Sequence, residues 1–281
     1  MDRLPQPAVD LPRQLSFRLL DAGKGETAPL RYEVAQAEVT TRIAMTLTSR
    51  HMDGSTWSPS QTLPEIRTAF ATAAIDATHV RARPLPGSVE GTASPEALAY
   101  LAGWKQSEDR RLTFALDARG QLGAIAFGDD PKTARSREAV DDLTQRLLSL
   151  VVPVPEEPIG IGASWRVVTV LTQRPVVVKQ TATYTLLQRT TKAWTVKAEL
   201  QRIGEEQTII DPAAISTDTK VDLVALVRRY QGTLEIAPAR ALPTGSLEIE
   251  SSMHLRLQPR TGPVGEQILE DKGTVVLSID H

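Results

Sequence analysis

The run from Leu247 to Leu257 constrains this chain more than any other stretch. Leu247, Ile249, Met253, Leu255 and Leu257 occupy every second position except Ser251, and Glu248, Glu250, Ser252, His254 and Arg256 fill the gaps. A period of two sends successive side chains to opposite faces of a β-strand, so this segment is a long strand with one dry face and one wet face. At the usual rise, residues 245–257 span about 40 Å, roughly twice an ordinary strand. A sheet of such strands must twist and curl, leaving a concave side for helices to cover. The expected fold is mainly β (α+β), with long curved antiparallel sheets that can form a half-barrel and one or two amphipathic helices packed against them.

The same alternation recurs from one end of the chain to the other. Residues 15–20 read as a first strand, closed by Gly23, Lys24 and Gly25. Leu30, Tyr32 and Val34 alternate, as do Val39, Thr41, Ile43, Met45 and Leu47, predicting one very long strand or two joined by a bulge at 36–38. A polar loop at 51–64 holds Trp57. Residues 61–78 carry both a helical stripe (Leu63, Ile66, Phe70, Ala73, Ala74, Ala77) and strand-favouring Thr and Ile, and 69–83 leans to strand. Ser94, Pro95 and Glu96 open a short helix ending at Gly103. Residues 111–116 and 121–127 form a hairpin around Asp117, Ala118, Arg119 and Gly120.

A longer helix is expected at about 130–151. Ala139, Val140, Leu143, Leu147, Leu148 and Val151 make one apolar stripe, opposite Arg135, Arg137, Glu138, Asp141, Asp142 and Arg146. Pro153, Pro155 and Pro158 then impose an extended linker. Beyond it, 165–171, 176–187, 193–203, 230–236, 245–257 and 274–279 read as strands of an antiparallel meander. Between the third and fourth, Val221, Leu223, Val224 and Val227 suggest a short helix. The organisation is thus a Pro-rich tether at 1–14, an N-terminal β-rich lobe at 15–152 and a C-terminal β lobe at 153–281. The two lobes can also form one domain.

Composition narrows the partners. With 281 residues, 41% of them hydrophobic and 23% charged, the chain supports a substantial core. A net charge of −2, and arginines scattered singly among the strands, argue against a nucleic-acid partner and for solvated strand faces. There is no cysteine, hence no disulfide and no thiolate chemistry. No apolar run reaches the length of a membrane span. A Pro-rich tether before a folded body is what remains once a signal or lipid-anchor segment is trimmed, so the expected location is periplasmic or at the cell surface. A cytoplasmic start reads the same.

Residues with catalytic potential do not assemble into a constellation. Gly160, Ile161 and Gly162 precede a strand rather than a helix, so no helix N-terminus meets a phosphate there. His51, His79, His254 and His281 lack metal-ligand spacing, and His51, Asp53 and Ser55 have no elbow or oxyanion motif beside them. Adjacent carboxylates such as Asp141 and Asp142 point apart. We therefore expect no catalytic residue, no metal, no cofactor and no enzyme. Trp165, Tyr184 and Trp194 each lie in the apolar phase of their strands. They either fill a core or, with Met253 and Leu255, line an apolar cavity inside the sheet.

The segment 153–165, reading PVPEEPIGIGASW, follows an amphipathic helix and precedes alternating strands. In this it resembles a family of uncharacterised exported or lipid-anchored envelope proteins of Gram-negative, myxobacterial-type bacteria. The long curved strands with a helix against them are also similar to half-barrel lipid-carrier lipoproteins, although the anchor cysteine of that pattern is missing here. The envelope-protein family has no assigned activity to carry over. With no catalytic set in the sequence, the expected function is a non-enzymatic envelope protein that binds or scaffolds through a curved sheet, its partner a protein or an apolar small molecule. Two alternatives are an assembly subunit pairing through exposed strand edges and a carrier of an apolar ligand or lipid.

Overall fold

The computed structural model describes residues 13–105, 111–127, 150–173, 176–209 and 219–280. The first part of the chain contributes β1 (Arg13–Asp21), β2 (Lys24–Ala28), β3 (Val39–Asp53), β4 (Thr56–Trp57), β5 (Gln61–Thr62), β6 (Ile66–Ala74), β7 (His79–Val89), α1 (Pro95–Lys105), β8 (Leu112–Leu116) and β9 (Leu122–Phe127). The second contributes β10 (Ile159–Ile161), β11 (Ser164–Gln173), β12 (Val176–Arg189), β13 (Trp194–Gly204), β14 (Gln207–Ile209), β15 (Thr219–Ile236), β16 (Thr244–Pro259) and β17 (Gly265–Ile279).

All but two of these strands join one antiparallel sheet. Its order is β1-β11-β12-β13-β15-β16-β17-β3-β6-β7-β8-β9, with β14 beside β15 and the short β4 and β5 beside β3. The fold is mainly β, a single large curved sheet not closed into a barrel. From β11 to β17 the chain meanders, as short turns between alternating segments require. The closing pairs are non-local: β17 lies against β3, from Gln267↔Asp53 to Ile279↔Thr41, and β1 against β11. Both halves of the chain thus supply strands to the same sheet. The remaining pair, β2 and β10, forms a small separate ribbon.

Several local expectations hold. Residues 69–74 and 79–83 are strand, in β6 and β7, with a turn at 75–78 between them. In the β8–β9 hairpin, the Asp117 carboxylate accepts from the backbone N–H of Arg119 and of Gln121, both at 2.8 Å, and Gly120 takes φ 72°. At α1, Ser94 Oγ accepts from the Ala97 N–H at 3.2 Å, the capping bond that the sequence pattern predicts. The helix runs on to Lys105 rather than stopping at Gly103. The helix expected at 130–151 lies outside the described residues, apart from its last two positions.

Two expectations are corrected. Leu30, Tyr32 and Val34 alternate as in a strand, yet 29–38 carries no strand. Its N–H groups are spent on separate turns instead: Tyr32 donates to Ala118 O at 2.8 Å, and Glu33 and Ala35 to Pro238 O and Ala239 O, each at 2.9 Å. The helix suggested by Val221, Leu223, Val224 and Val227 is also absent, because 219–229 belongs to β15. A bulge between Leu223 and Ala225 advances the phase by one residue. Leu223 and Leu226, three apart, are consequently both buried, which copies helical spacing inside a strand. In addition, β15 begins well before Tyr230 and β17 well before Thr274.

The main core lies on the inner face at one end of the strands. Trp165, Tyr184, Leu186, Trp194, Val196 and Ile236 point inward there, and two strandless segments cross over them with Leu30, Tyr32, Val152 and Val154. A second cluster joins Phe70, Val80, Phe114 and Trp104 of α1. A third, of Leu171, Val176, Val178, Leu223 and Leu226, occupies the opposite end of the long strands, with Met253 and Leu255 packed against it.

Candidate functional site

The aromatic residues singled out from the sequence are packed side chains. Trp165 is fully buried, and its indole Nε1 donates to Pro153 O at 2.7 Å. Its ring lies 5.6 Å from that of Tyr184, and Trp194 meets Tyr32 edge-on at 5.9 Å. Burial pushes the Tyr184 and Tyr32 phenols well above the usual tyrosine range, so both stay protonated. Met253 and Leu255 share the inner face with these rings but belong to the third cluster. The five residues therefore fall into two groups at opposite ends of the long strands.

Between the two groups, strand register builds a polar row. Thr169 pairs with Gln180, Gln180 with Arg202, Arg202 with Arg228, Arg228 with Ser251, Ser251 with Asp271 and Asp271 with Ser49. Each stands in the same phase as the inward apolar residues of its strand: Arg202 with Leu200 and Val196, Gln180 with Ala182 and Val178, Ser251 with Ile249 and Leu247. A polar belt across seven strands thus separates the aromatic core from the third cluster.

Arg202 dominates this belt. It is 5% exposed, whereas a strand arginine is ordinarily solvated. Its Nε donates to Gln180 Oε1 at 2.7 Å and a terminal nitrogen donates to Tyr230 Oη at 3.2 Å. The guanidinium also lies 4.9 Å from the Tyr230 ring centroid. Neighbouring Arg228, half-buried, donates to Ser251 Oγ at 3.2 Å. Burial is the main cause lowering the Arg202 pKa; the Arg228 charge adds to it, and Tyr230 opposes it. Among the described residues no carboxylate pairs with either arginine. Asp271, in the same row, is engaged by the Ser49 hydroxyl.

Past the belt the inner face stays sealed on β11, β12 and β15, where Leu171, Val178, Leu223 and Leu226 are buried, and loosens only on β16 and β17. On β16, Leu247, Ile249 and Ser251 are buried, but Met253, Leu255 and Leu257 are only half-buried, as is Leu269 opposite Met253 on β17. An apolar surface partly open at this end thus adjoins two arginines. Sequence reading marked Met253 and Leu255 but missed Arg202, Arg228, Gln180 and Tyr230. The available signal was a polar residue in the apolar phase of consecutive strands; Ser251, the one break in the β16 pattern, marks the row.

Other chemistry-bearing residues are dispersed. His51 Nε2 lies 3.8 Å from Asp53, both exposed, and it is the His51 backbone N–H, not its ring, that meets Ser58 Oγ. His79 caps a hairpin turn with Asp76, and His254 faces Glu266 at 3.4 Å. Among the described residues no three His, Asp or Glu side chains are placed to hold a metal ion. A surface pocket of about 650 Å³ at the strand ends includes Glu38, Lys192, Glu235, Arg240 and Asp280. Its carboxylates are already committed: Glu38 to Arg83, Glu235 to Arg240 and Asp280 to Arg42.

Fold and inner face together define a mainly β protein built on one open, curved antiparallel sheet with a polar belt across its concave side. No protein-family model matches the chain, and no curated protein gives a significant match to it. No described helix is long and apolar enough to cross a membrane.

Proposed function

We propose that the protein is a non-enzymatic binding protein of the bacterial envelope that carries an apolar, chain-like ligand on the inner face of its sheet. The observation that carries this reading is the loss of burial along the dry face of β16. Leu247 and Ile249 are sealed, whereas Met253, Leu255 and Leu257 on the same face stay half-open. Soluble proteins seldom leave contiguous apolar surface without a use for it. The envelope location draws support from the resemblance of 153–165 to exported proteins. The aromatic residues frame the site as a rigid packed core rather than lining it.

The test is organic extraction of the purified protein with mass spectrometry of the extract, alongside titration with a fluorescent fatty-acid analogue. The reading expects co-purifying long-chain lipid and saturable binding that Leu255→Glu abolishes. Absence of both would sink it.

A second reading, assembly through strand edges, draws on the open order of the sheet, which ends in β1 on one side and β9 on the other. Sedimentation showing concentration-dependent oligomers, abolished by proline in β1, would favour it.

A further inference from the structure

We infer that Arg202 and Arg228 form an anion-binding site on the inner face, which takes the carboxylate or phosphate head of an amphipathic ligand whose chain lies along Met253 and Leu255. This rests on the binding reading above and names the class of ligand.

A buried cation is ordinarily matched by an anion, because taking a charge out of water is costly unless it is paired. Among the described residues Arg202 has no such anion. Its bonds go to a neutral amide and a phenol, and the nearest cross-strand neighbour on one side is a second arginine. Two like charges face each other where a core would otherwise place apolar residues. A structural role alone would be served as well by a neutral side chain. An anion that enters between them relieves the repulsion and collects unused guanidinium donors, each guanidinium offering five in a planar fork suited to carboxylate and phosphate oxygens. Gln180 and Tyr230 hold the Arg202 fork in place beforehand, which lowers the cost of ordering it on binding.

The position selects an amphipath over a small anion. On the same face of β15, Leu226 lies one step beyond Arg228, and Met253 pairs with Leu226 across to β16. A head at the arginines would therefore place its chain along half-buried Met253, Leu255 and Leu269 on β16 and β17, beside the third apolar cluster, whose own Leu223 and Leu226 are sealed. In the other direction the packed aromatic core blocks the way.

The experiment measures binding of four probes to the full chain: oleate, phosphatidylglycerol micelles of short acyl chains, oleyl alcohol and inorganic phosphate. Wild type should bind oleate or the phosphatidylglycerol, which distinguishes a carboxylate from a phosphate head, and should bind oleyl alcohol and inorganic phosphate far more weakly. Arg202→Met should weaken the anionic amphipath at least about tenfold, the scale of a charge-assisted bond, while still unfolding in a single cooperative transition. Arg228→Gln, at a half-exposed position, should also weaken it and guards against a folding defect in the first variant. Equal binding of oleate and oleyl alcohol, unchanged in both variants, would overturn the anion site and leave the apolar-ligand reading standing. If none of the long-chain probes binds, both fall.

Discussion

The phenol of Tyr32 donates a hydrogen bond to the carbonyl oxygen of Val152 at 3.0 Å, joining two segments that belong to no strand and lie 120 residues apart. These segments form the lid of the aromatic core. Neither has a ladder of its own, so side-chain bonds of this kind satisfy backbone groups that sheet pairing would otherwise take up.

Tyr32→Phe keeps the ring against Trp194 and removes only the donor. The Val152 carbonyl is then left buried without this partner, and a loss of about 1–3 kcal/mol is expected in chemical denaturation. A change below a few tenths would show that the lid is held by packing alone.

Leu186 and Leu255 both face inward but at opposite ends of the sheet, fully buried and half-buried respectively. Leu186→Ala should cost about 2–5 kcal/mol, the range for a buried leucine left as a cavity. Leu255→Ala should cost roughly 1 kcal/mol, in proportion to the smaller area it removes from water. Equal losses would mean that the two ends are equally closed.

Gly273 sits inside β17, where a Cβ would fall onto the Thr46 carbonyl oxygen of β3 and against the Leu47 side chain. The glycine permits that close backbone approach, and Gly273→Ala should destabilise by about 1–3 kcal/mol through overpacking. Gly265→Ala, at the start of the same strand with nothing within 4 Å of a Cβ, is the control. Calorimetric melting should lower Tm for the first and spare the second.

Asp76 is held at about 2, below its ordinary 3.8, mainly by the Thr78 backbone N–H and then by the His79 ring. A depressed folded-state pKa favours the native state above the ordinary carboxylate range, and that contribution fades as pH falls toward 2. Asp76→Asn should therefore lower Tm at pH 6 and converge with wild type near pH 2. A gap that persists unchanged across that interval would remove the carboxylate from the account.

Period-two alternation was enough to place most strands, because the in-out rhythm of a pleated chain is a local property. Leu247 to Leu257 and Trp194 to Leu200 therefore announce their faces in one dimension. The β8–β9 hairpin and the Ser94 cap are equally legible, being contacts of a few residues. Where a bulge shifts the phase, as at Leu223 and Leu226, the local signal misleads. Where both faces are polar or mixed, as from Glu266 to Lys272 in β17, it vanishes, and pairing with β16 and β3 on either side makes the strand. Only tertiary structure could bring β17 to β3 and β1 to β11, since such pairings join distant residues and depend on the closure of the whole chain. The same holds for the functional face. Gln180, Arg202, Arg228 and Ser251 are scattered over more than seventy positions, each a single break in an apolar rhythm, and they form one belt because strand register aligns them.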